Sequence, residues 1–194
     1  DTNLVFNSLI MIDALIKSEI MNGLKVDIKN ESIDISKLVV IDAGNILFST
    51  SGKVTKTGYN NLVDTVEYIL SSDMIPIVVI HTRHLKKNFK SKPKSNDIIK
   101  IIEYLRSNNN IFIIETPYDI NDDFYIIYIA LYYQCQVITN DNYKDHIYNF
   151  RSNKNENEEN MIENYIDSLL IKYNVLQKKI IIEHISFYFQ KPNL

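Results

Sequence analysis

The sequence predicts an α/β protein in which helices cover both faces of a central, parallel β-sheet. Short apolar segments alternate along the chain with longer segments whose apolar residues recur at helical spacing. The short segments have no polar face, so each predicted strand must be covered on both sides, which is typical of a parallel sheet. These two observations favour a three-layer α/β/α architecture, with a small β extension formed by the terminal segments.

Four strands and the helices between them carry this prediction. The strands are expected at residues 37–41, 75–80, 111–114 and 135–139. The helices are expected at residues 59–72, 95–107, 122–134 and 142–150. The second of these helices opens on a serine, a residue that suits an N-cap. Right-handed crossovers between parallel strands then place all their carboxyl ends along one edge of the sheet.

Both ends of the chain lie outside this alternation. Residues 4–21 have the apolar spacing of a helix and, together with a linking strand, form a predicted N-terminal unit of residues 1–36. After a polar, low-complexity segment we expect a helix at 161–173 and a strand-like pair within 179–189. The main domain is therefore predicted to span residues 37–194.

Length and composition limit what the chain does. At 194 residues it is long enough to bury one sizeable core. Its single cysteine, Cys135, cannot form an internal disulfide, and no Cys/His spacing fits zinc. No apolar run reaches membrane-spanning length and no cleavable leader is found, so we expect a soluble, intracellular protein with no membrane partner. Because the chain begins at Asp1 without methionine, we expect it to be processed or excised.

Charge is distributed unevenly along the chain. The net charge of -3 argues against wholesale nonspecific binding of nucleic acid. Residues 83–106, however, carry eight basic and two acidic side chains, whereas residues 119–167 carry ten acidic and three basic ones. These two segments form either two ordinary solvated surfaces or a site that holds a polyanion beside cations.

Four aspartates are predicted to meet at the carboxyl edge of the sheet, where open parallel sheets bind their ligands. Asp42 ends the first strand, and Asp141 follows the fourth. Between them, Asp122 and Asp123 begin the helix after the third strand. Asp145, four residues after Asp141, is expected on the same helical face. Singly, each has an ordinary explanation, since aspartate caps helices and forms turns.

Together, the four carboxylates indicate a metal site. Carboxylates in one crevice repel one another unless cations neutralise them, and hard oxygen ligands with few His or Cys nearby fit Mg²⁺ or Mn²⁺. Two such ions can activate a water and stabilise the leaving oxygen of a phosphodiester. Directly after Asp42, Gly44 is expected to permit a tight turn, and Asn45 to offer an amide where a phosphate approaches.

A basic segment is predicted to leave the second strand at the same edge. The stretch HTRHLKKNFKSKPKS (81–95) is interpreted as a loop whose cations contact RNA phosphates while Phe89 stacks on a base. Such binding would be independent of RNA sequence and sensitive to salt. The cations expected to do this are Arg83, Lys86, Lys87 and Lys90. A solvated basic loop is the alternative.

Two motifs resemble the NYN-type, PIN-like metallonuclease domain of protein-only RNase P. The first is VVIDAGN (39–45), and the second is NDDFYIIYIALYYQCQVITNDNYKDHI (121–147). The second is highly specific, because its acid pair, its Tyr/Ala-rich helix, its cysteine before the strand and its later Asp and His match in place. The resemblance covers residues 38–150, and MNGLKVDI (21–28) is more loosely similar to the strand that leads into that family's nuclease domain.

The resemblance implies an activity and a set of site residues. It implies a Mg²⁺- or Mn²⁺-dependent endoribonuclease with two ions, which removes 5′ leaders from precursor tRNA and leaves 5′-phosphate and 3′-hydroxyl ends. Catalytic, metal-binding roles are implied for Asp42, Asp122, Asp123 and Asp141. Supporting roles are implied for Asn45, His81, Asp145 and His146.

The chain also departs from the family pattern. Asn22 and Gly23 stand where the family has a zinc-binding cysteine motif, and only His184 lies near the end, so no structural zinc is expected. The family's upstream pentatricopeptide helices, which grip the tRNA elbow, are absent from these 194 residues. Either those helices precede Asp1 or this is a minimal form.

Other functions remain open at this point. A NYN/PIN-type ribonuclease acting on other RNAs would carry the same fold and acids. A noncatalytic RNA-binding subunit would keep the fold, although four intact acids disfavour it. A phosphoacceptor receiver domain requires an acid pair after the first strand and a lone aspartate after the third, whereas here the pair follows the third.

Overall fold

The computed structural model describes residues 33–89, 92–149 and 156–182. The predicted helix at 4–21 and the strand-like segment at 21–28 lie outside the described residues, as do Asn22, Gly23 and His184 of the zinc argument. The division of the chain at residue 36 therefore stays a prediction.

Helices and strands follow one another from residue 35 onward. After a 3-10 turn at Ile35–Lys37, the first elements are β1 (Leu38–Asp42), α1 (Ala43–Phe48), α2 (Lys56–Ser71), β2 (Ile75–His81), α3 (Thr82–Leu85), β3 (Asn88–Phe89) and β4 (Lys92–Pro93). They are followed by α4 (Asn96–Ser107), β5 (Phe112–Thr116), α5 (Asp122–Tyr133), β6 (Gln136–Ile138) and α6 (Lys144–Asn149). The last described elements are α7 (Glu156–Leu169), β7 (Leu170–Ile171), β8 (Asn174–Leu176) and β9 (Lys179–Ile181).

The central sheet has five strands in the order β5-β2-β1-β6-β7, and every pair in it is parallel. This confirms the predicted α/β class. Strand β1 lies in the middle, paired with β2 from Leu38↔Ile75 to Asp42↔Val79 and with β6 through Ile41↔Ile138. The carboxyl ends of β1, β2, β5 and β6 consequently lie along one edge, as the crossover rule predicts.

Strand β7 was not predicted. The expected helix at 161–173 ends at Leu169, and Leu170 and Ile171 instead extend the sheet beside Val137 and Ile138 of β6. A strand of two residues is too short to display a period, so apolar spacing cannot separate it from the end of a helix.

Two apolar layers explain why the strands lack a polar face. Leu38 and Val40 of β1 pack with the side chains of α5 and α7, whereas Val39 and Ile41 pack with those of α1, α2 and α4. Successive residues of a strand point to opposite faces, so both sets must be apolar when helices cover both faces. All five residues of β1 are buried, Asp42 included.

One local prediction is corrected. The segment 81–95, expected as a loop, contains α3 and the antiparallel β3–β4 hairpin, with Lys90 and Ser91 outside the described residues. Near the end of the chain, β9 pairs with the preceding β8, and residues 183–189 of the expected strand-like pair lie outside the described residues. Within the described part of the chain, no helix combines the length and apolar character that crossing a membrane requires.

Candidate active site

A cavity of about 430 Å³ opens at the carboxyl edge of the sheet, and all four predicted aspartates line it. Asp42 reaches it from the end of β1, and Asp141 from the segment after β6. Asp122 and Asp123 lie in the first turn of α5, which follows β5. The structure therefore brings together three segments that are far apart in the chain. We call this cavity the acidic cavity.

Asp42 is the buried carboxylate of the acidic cavity, with a relative exposure of 3%. Its Oδ1 accepts a hydrogen bond from the backbone N–H of Asn45 at 3.0 Å. Its Oδ2 accepts from the hydroxyls of Thr139 at 2.8 Å and Tyr143 at 2.7 Å. A carboxylate has about four lone-pair positions, so Oδ1 keeps room for one further ligand.

Burial raises the pKa of Asp42 to about 6, because desolvation disfavours the charged form. The donors from Asn45, Tyr143 and Thr139 oppose that shift, and the nearby charge of Asp123 adds to it. An added cation at this position would relieve both costs, since an opposite charge favours the ionised carboxylate. The environment of Asp42 therefore fits a ligand with positive charge.

Asp122 and Asp123 are not the cap of α5, in contrast to the ordinary explanation for acids at a helix start. Asn121 is the N-cap, and its side chain accepts from the N–H of Asp123 at 3.0 Å. Neither carboxylate is therefore used to cap the helix. Burial and the neighbouring charge of Asp122 raise the pKa of Asp123, while a contact of 2.8 Å to Nε2 of His146 lowers it.

His146 orients Asp123 from outside the acidic cavity. It is half-buried in α6, edge-on to the ring of Phe124 with 4.8 Å between centroids. When Asp123 is ionised, the contact between the two requires the proton on Nε2. This geometry fits the supporting role predicted for His146, without placing it among the lining side chains.

Asp141 forms the turn that leads out of β6. Its Oδ1 accepts from the N–H of Tyr143 at 2.8 Å, and its own N–H donates to Thr139 Oγ1 at 3.0 Å. The ammonium group of Lys172 donates to its carbonyl oxygen. The turn occupies one carboxylate oxygen, so a turn and a ligand are compatible functions for Asp141.

Asn45 links α1 to the segment after β6 through hydrogen bonds. Its side-chain oxygen accepts from the N–H of Asn140 at 2.9 Å and from the hydroxyl of Tyr173 at 2.6 Å. The Asn140 side chain in turn donates to the carbonyl of Tyr173 at 2.9 Å. Asn45 therefore lines the acidic cavity as a structural link, in addition to the N–H that it gives to Asp42.

Gly44 lies within α1, so the prediction that it forms a tight turn is wrong. A Cβ at this position would lie 3.2 Å from Oδ2 of Asp122 and 3.7 Å from Oδ1 of Asp42. The small residue thus allows α1 and the start of α5 to approach closely. A Cβ would crowd the carboxylate of Asp122, whereas its contact with Asp42 would be an ordinary one.

Asp145 does not line the acidic cavity. Helix α6 begins only at Lys144, and Asp141 lies before it, so the helical spacing expected between Asp141 and Asp145 does not apply. The Asp145 side chain is exposed. Its supporting role stays a prediction.

The predicted RNA-binding residues occupy different environments. Arg83 lines the acidic cavity. The ammonium of Lys86 lies 4.5 Å from the centre of the exposed Tyr118 ring, and that of Lys87 lies 3.1 Å from Glu103. His81 is buried and caps α3 by accepting from the N–H of Arg83 at 3.1 Å. Lys90 lies outside the described residues.

The family model of protein-only RNase P matches residues 34–187, most of the chain. The chain belongs to the protein-only RNase P family. In this family the chain is 26% identical, over 114 residues, to proteinaceous RNase P 1 (chloroplastic/mitochondrial) of Arabidopsis thaliana. That alignment covers 59% of this chain and 19% of the plant protein.

Two solved structures of nuclear proteinaceous RNase P 2 from Arabidopsis thaliana share the fold. One superimposes with a TM-score of 0.66 at 18% identity, covering 93% of this chain and 35% of the plant chain. The other gives 0.65 at 20% identity, covering 94% and 36%. This chain thus spans about a third or less of the length of these relatives.

Three residues of the candidate site were not predicted as such. Tyr143, Thr139 and Tyr173 reach Asp42 or Asn45 through hydrogen bonds that join positions about a hundred residues apart in the chain. No local pattern signals such a contact. Thr139 and Tyr143 do flank Asp141 inside the motif that resembles this family, which is the one signal available.

Proposed function

We propose that this chain is a metal-dependent endoribonuclease that removes 5′ leaders from precursor tRNA. The products would be a 5′-phosphate on the mature RNA and a 3′-hydroxyl on the leader. The observation that carries the proposal is the convergence of four aspartates from three distant segments on one cavity, in a chain of the protein-only RNase P family. Removal of tRNA leaders is inferred from the family, and phosphodiester hydrolysis from the acids.

The donor set fits Mg²⁺ or Mn²⁺. Asp42, Asp123 and Asp141 would bind metal directly, and Asp122 would bind a second ion or its water. Among the described residues no three His, Cys, Asp or Glu side chains stand close enough to form a finished metal cluster. Ion binding would therefore draw the carboxylates closer than they stand here. When bound, two such ions supply charge that activates a water and stabilises the leaving oxygen.

The protein's own contribution is to hold the acids in place. Thr139 and Tyr143 donate to Oδ2 of Asp42, which leaves the remaining hydrogen-bonding capacity of this lining carboxylate on Oδ1. His146 fixes Asp123 in the same way. Partners of this kind orient ligands and raise their basicity.

Arg83 would contact the RNA backbone beside these acids. It is the only Lys or Arg that lines the acidic cavity in the described residues, and its guanidinium group suits bidentate contact with a phosphate. Further phosphates along the RNA would be contacted by Lys86, Lys87 and Lys90. Such contacts position the RNA without reading its sequence.

A cleavage assay tests the proposal. A 5′-labelled precursor tRNA is incubated with the protein under a titration of Mg²⁺ and Mn²⁺, and the cut is mapped. Asp123→Asn is expected to lower turnover by more than about 100-fold, beyond the roughly 10- to 100-fold typical of residues that only orient a ligand. Asp64→Asn, the same change at an exposed site on α2, is the control.

The possible results separate the candidate functions. Cleavage at the mature 5′ end that needs a divalent ion and Asp123 supports the proposal. Cuts elsewhere, with the same requirements, would indicate a ribonuclease for other RNAs. Binding of RNA with no cleavage, or cleavage unchanged in Asp123→Asn, would overturn the catalytic role.

A further inference from the structure

A second cavity of about 350 Å³ lies beside the acidic cavity, and the two share Phe48 and Arg83. Its wall is mostly apolar, formed by side chains from α1, α2, α3, α4 and the hairpin after α3. The residues that build it, besides the shared pair, are Val54, Tyr59, His84, Lys92, Pro93, Lys94 and Ile98. We call it the apolar cavity.

The rings that line the apolar cavity are uncharged, and the ring of Phe48 is partly exposed. Phe48, 38% exposed, meets His84 edge-on at 77° with 6.0 Å between centroids. The hydroxyl of Tyr59 donates to the carbonyl of His84 at 2.7 Å, so this polar group is already satisfied. Pro93 adds a second rigid, apolar side chain to the lining.

His84 is a neutral ring with a defined tautomer. Its Nε2 accepts from Nε of Arg83 at 3.1 Å, so the proton of the neutral ring is on Nδ1. Burial, together with the charge of Arg83, keeps its pKa near 3. The apolar cavity thus contains no charge of its own at neutral pH apart from its cationic rim.

Three cationic residues line the apolar cavity, namely Arg83, Lys92 and Lys94. Lys92 is exposed, and Arg83 lies between the two cavities. Lys94 is committed to the protein, because its ammonium group donates to the carbonyl oxygens of Arg83 and Lys86 and so anchors the hairpin. An apolar recess with a basic rim matches a flat apolar group attached to a phosphate.

We propose that the apolar cavity receives an unpaired nucleobase of the RNA, next to the phosphate that is cut. This inference rests on the proposed function. The volume of the apolar cavity, about 350 Å³, lies at the small end of the roughly 300–1,000 Å³ typical of ligand pockets. A cavity of this volume suits a single nucleobase. Phe48 supplies the stacking surface, and Arg83 the phosphate contact at the junction.

The unpaired base belongs to the leader. Proteins bind RNA bases mainly where the bases are single-stranded and can stack on aromatic side chains. The nucleotide on the mature side of the cut is paired in the acceptor stem of a tRNA, so the last leader nucleotide is the one free to enter the apolar cavity. Its base is then a positioning element for the cut, in addition to the shape of the tRNA.

Fluorescence of a base analogue tests this without requiring cleavage. The Asp123→Asn protein is mixed with precursor tRNA that carries 2-aminopurine as the last leader nucleotide. Stacking on Phe48 is expected to quench the fluorescence at saturating protein. With Phe48→Ala added the quenching is lost, whereas with Tyr68→Ala it is kept, because Tyr68 is equally exposed at 38% but lies on α2 outside both cavities.

A cleavage experiment supplies the second arm. Removing the base at the last leader position is expected to raise the precursor concentration needed for half-maximal cleavage by the wild-type protein. The expected rise is roughly tenfold or more, as for a lost base–aromatic stack. The same change has little further effect in Phe48→Ala or Phe48→Leu. An abasic site three nucleotides further into the leader leaves both proteins unchanged.

The outcomes distinguish this inference from the proposed function. If leader cleavage occurs but the effects of the abasic site and of Phe48→Ala simply add, the nucleobase site is wrong and the nuclease stands. If no precursor is cut, yet quenching depends on Phe48, the site stands and the proposed activity fails. Equal quenching in Phe48→Ala and in the Tyr68→Ala control also overturns the site.

Discussion

The acidic cavity and the apolar cavity touch at Phe48 and Arg83 but are built in opposite ways. The first is assembled from strand ends and the start of α5, and hydrogen bonds spanning about a hundred residues hold Asp42 in place. The second is formed largely by one continuous stretch of chain around α3 and the β3–β4 hairpin, packed on α1, α2 and α4. The acidic cavity therefore combines segments about a hundred residues apart, whereas the segments that line the apolar cavity lie within about fifty residues of one another.

The buried hydroxyl of Tyr143 offers the sharpest test of the long-range contacts. Tyr143→Phe removes one of three donors to Asp42 and leaves the ring in place. Turnover of precursor tRNA is expected to fall by about 10- to 100-fold, with a higher Mg²⁺ concentration at half-maximal rate, since the hydroxyl orients a metal ligand. The metal-dependent rate of both proteins is the measurement.

Tyr128→Phe is the matched control for that change. Tyr128 is also buried, and its hydroxyl has no hydrogen-bond partner among the described residues. The control should keep wild-type turnover. Equal rates and equal Mg²⁺ dependence for Tyr143→Phe and wild type would mean that Asp42 does not need its hydroxyl donor.

Gly44→Ala tests how much space the carboxylates need. The added methyl group would lie 3.2 Å from Oδ2 of Asp122, so this side chain must move by a few tenths of an ångström. A displacement of about 1 Å can cost roughly 100-fold in rate, so we expect a loss of about tenfold here. Stability should be kept, because alanine is the better helix former.

Gly58→Ala provides the contrast. A Cβ there would lie 2.3 Å from the carbonyl oxygen of Leu47, where only backbone movement can relieve the clash. We expect a loss of about 1–3 kcal/mol in the free energy of unfolding, as for overpacking. If Gly44→Ala instead lowers stability and keeps turnover, the space beside Asp122 is structural rather than functional.

Arg83→Ala is expected to affect RNA binding at both cavities. The Michaelis constant for precursor tRNA should rise several-fold, and the slope of log affinity against log salt should decrease in magnitude by about 0.7–0.9, the value for one lost phosphate contact. Lys37→Ala is the control, since Lys37 precedes β1 at the opposite edge of the sheet and pairs with Asp73 at 2.5 Å. An unchanged salt slope in Arg83→Ala would remove it from the RNA contact.

The same contrast explains what could be predicted from the sequence. Strands β1, β2, β5 and β6 were predicted to within about two residues, because apolar runs flanked by polar residues mark buried strands. The gathering of the four aspartates followed from crossover handedness alone. Both inferences need only short-range patterns and a topological rule.

What could not be predicted depends on register between distant segments. The hydroxyl of Tyr143 donates to Asp42 across 101 positions of the chain. The position of Tyr143 beside Asp141 in the family motif is the one sequence signal, and it does not identify Asp42 as the partner. The apolar cavity was also missed, because α3 and the hairpin were interpreted as a loop. Two-residue strands carry no period, so their pairing is decided by tertiary contacts.

The buried ring of His84 predicts a pH dependence of stability that is localised to the apolar cavity. Burial and the nearby charges of Arg83, His81 and Lys94 lower the pKa of His84 to about 3, whereas the unfolded chain has the ordinary value near 6.5. Below pH 6.5 the unfolded state therefore binds a proton that the folded state does not. Stability must fall as the pH decreases through this window, down to about pH 3.

The expected slope is about 1.4 kcal/mol per pH unit once the pH is well below 6.5. Urea denaturation between pH 5 and 7 of the wild type and of His84→Gln measures it, since glutamine keeps polar atoms but does not titrate. The difference between the two slopes isolates His84 from the carboxylates, which titrate in both proteins. Parallel curves would show that the ring takes up its proton as readily in the folded protein as in the unfolded chain, so that burial in this wall does not keep His84 neutral.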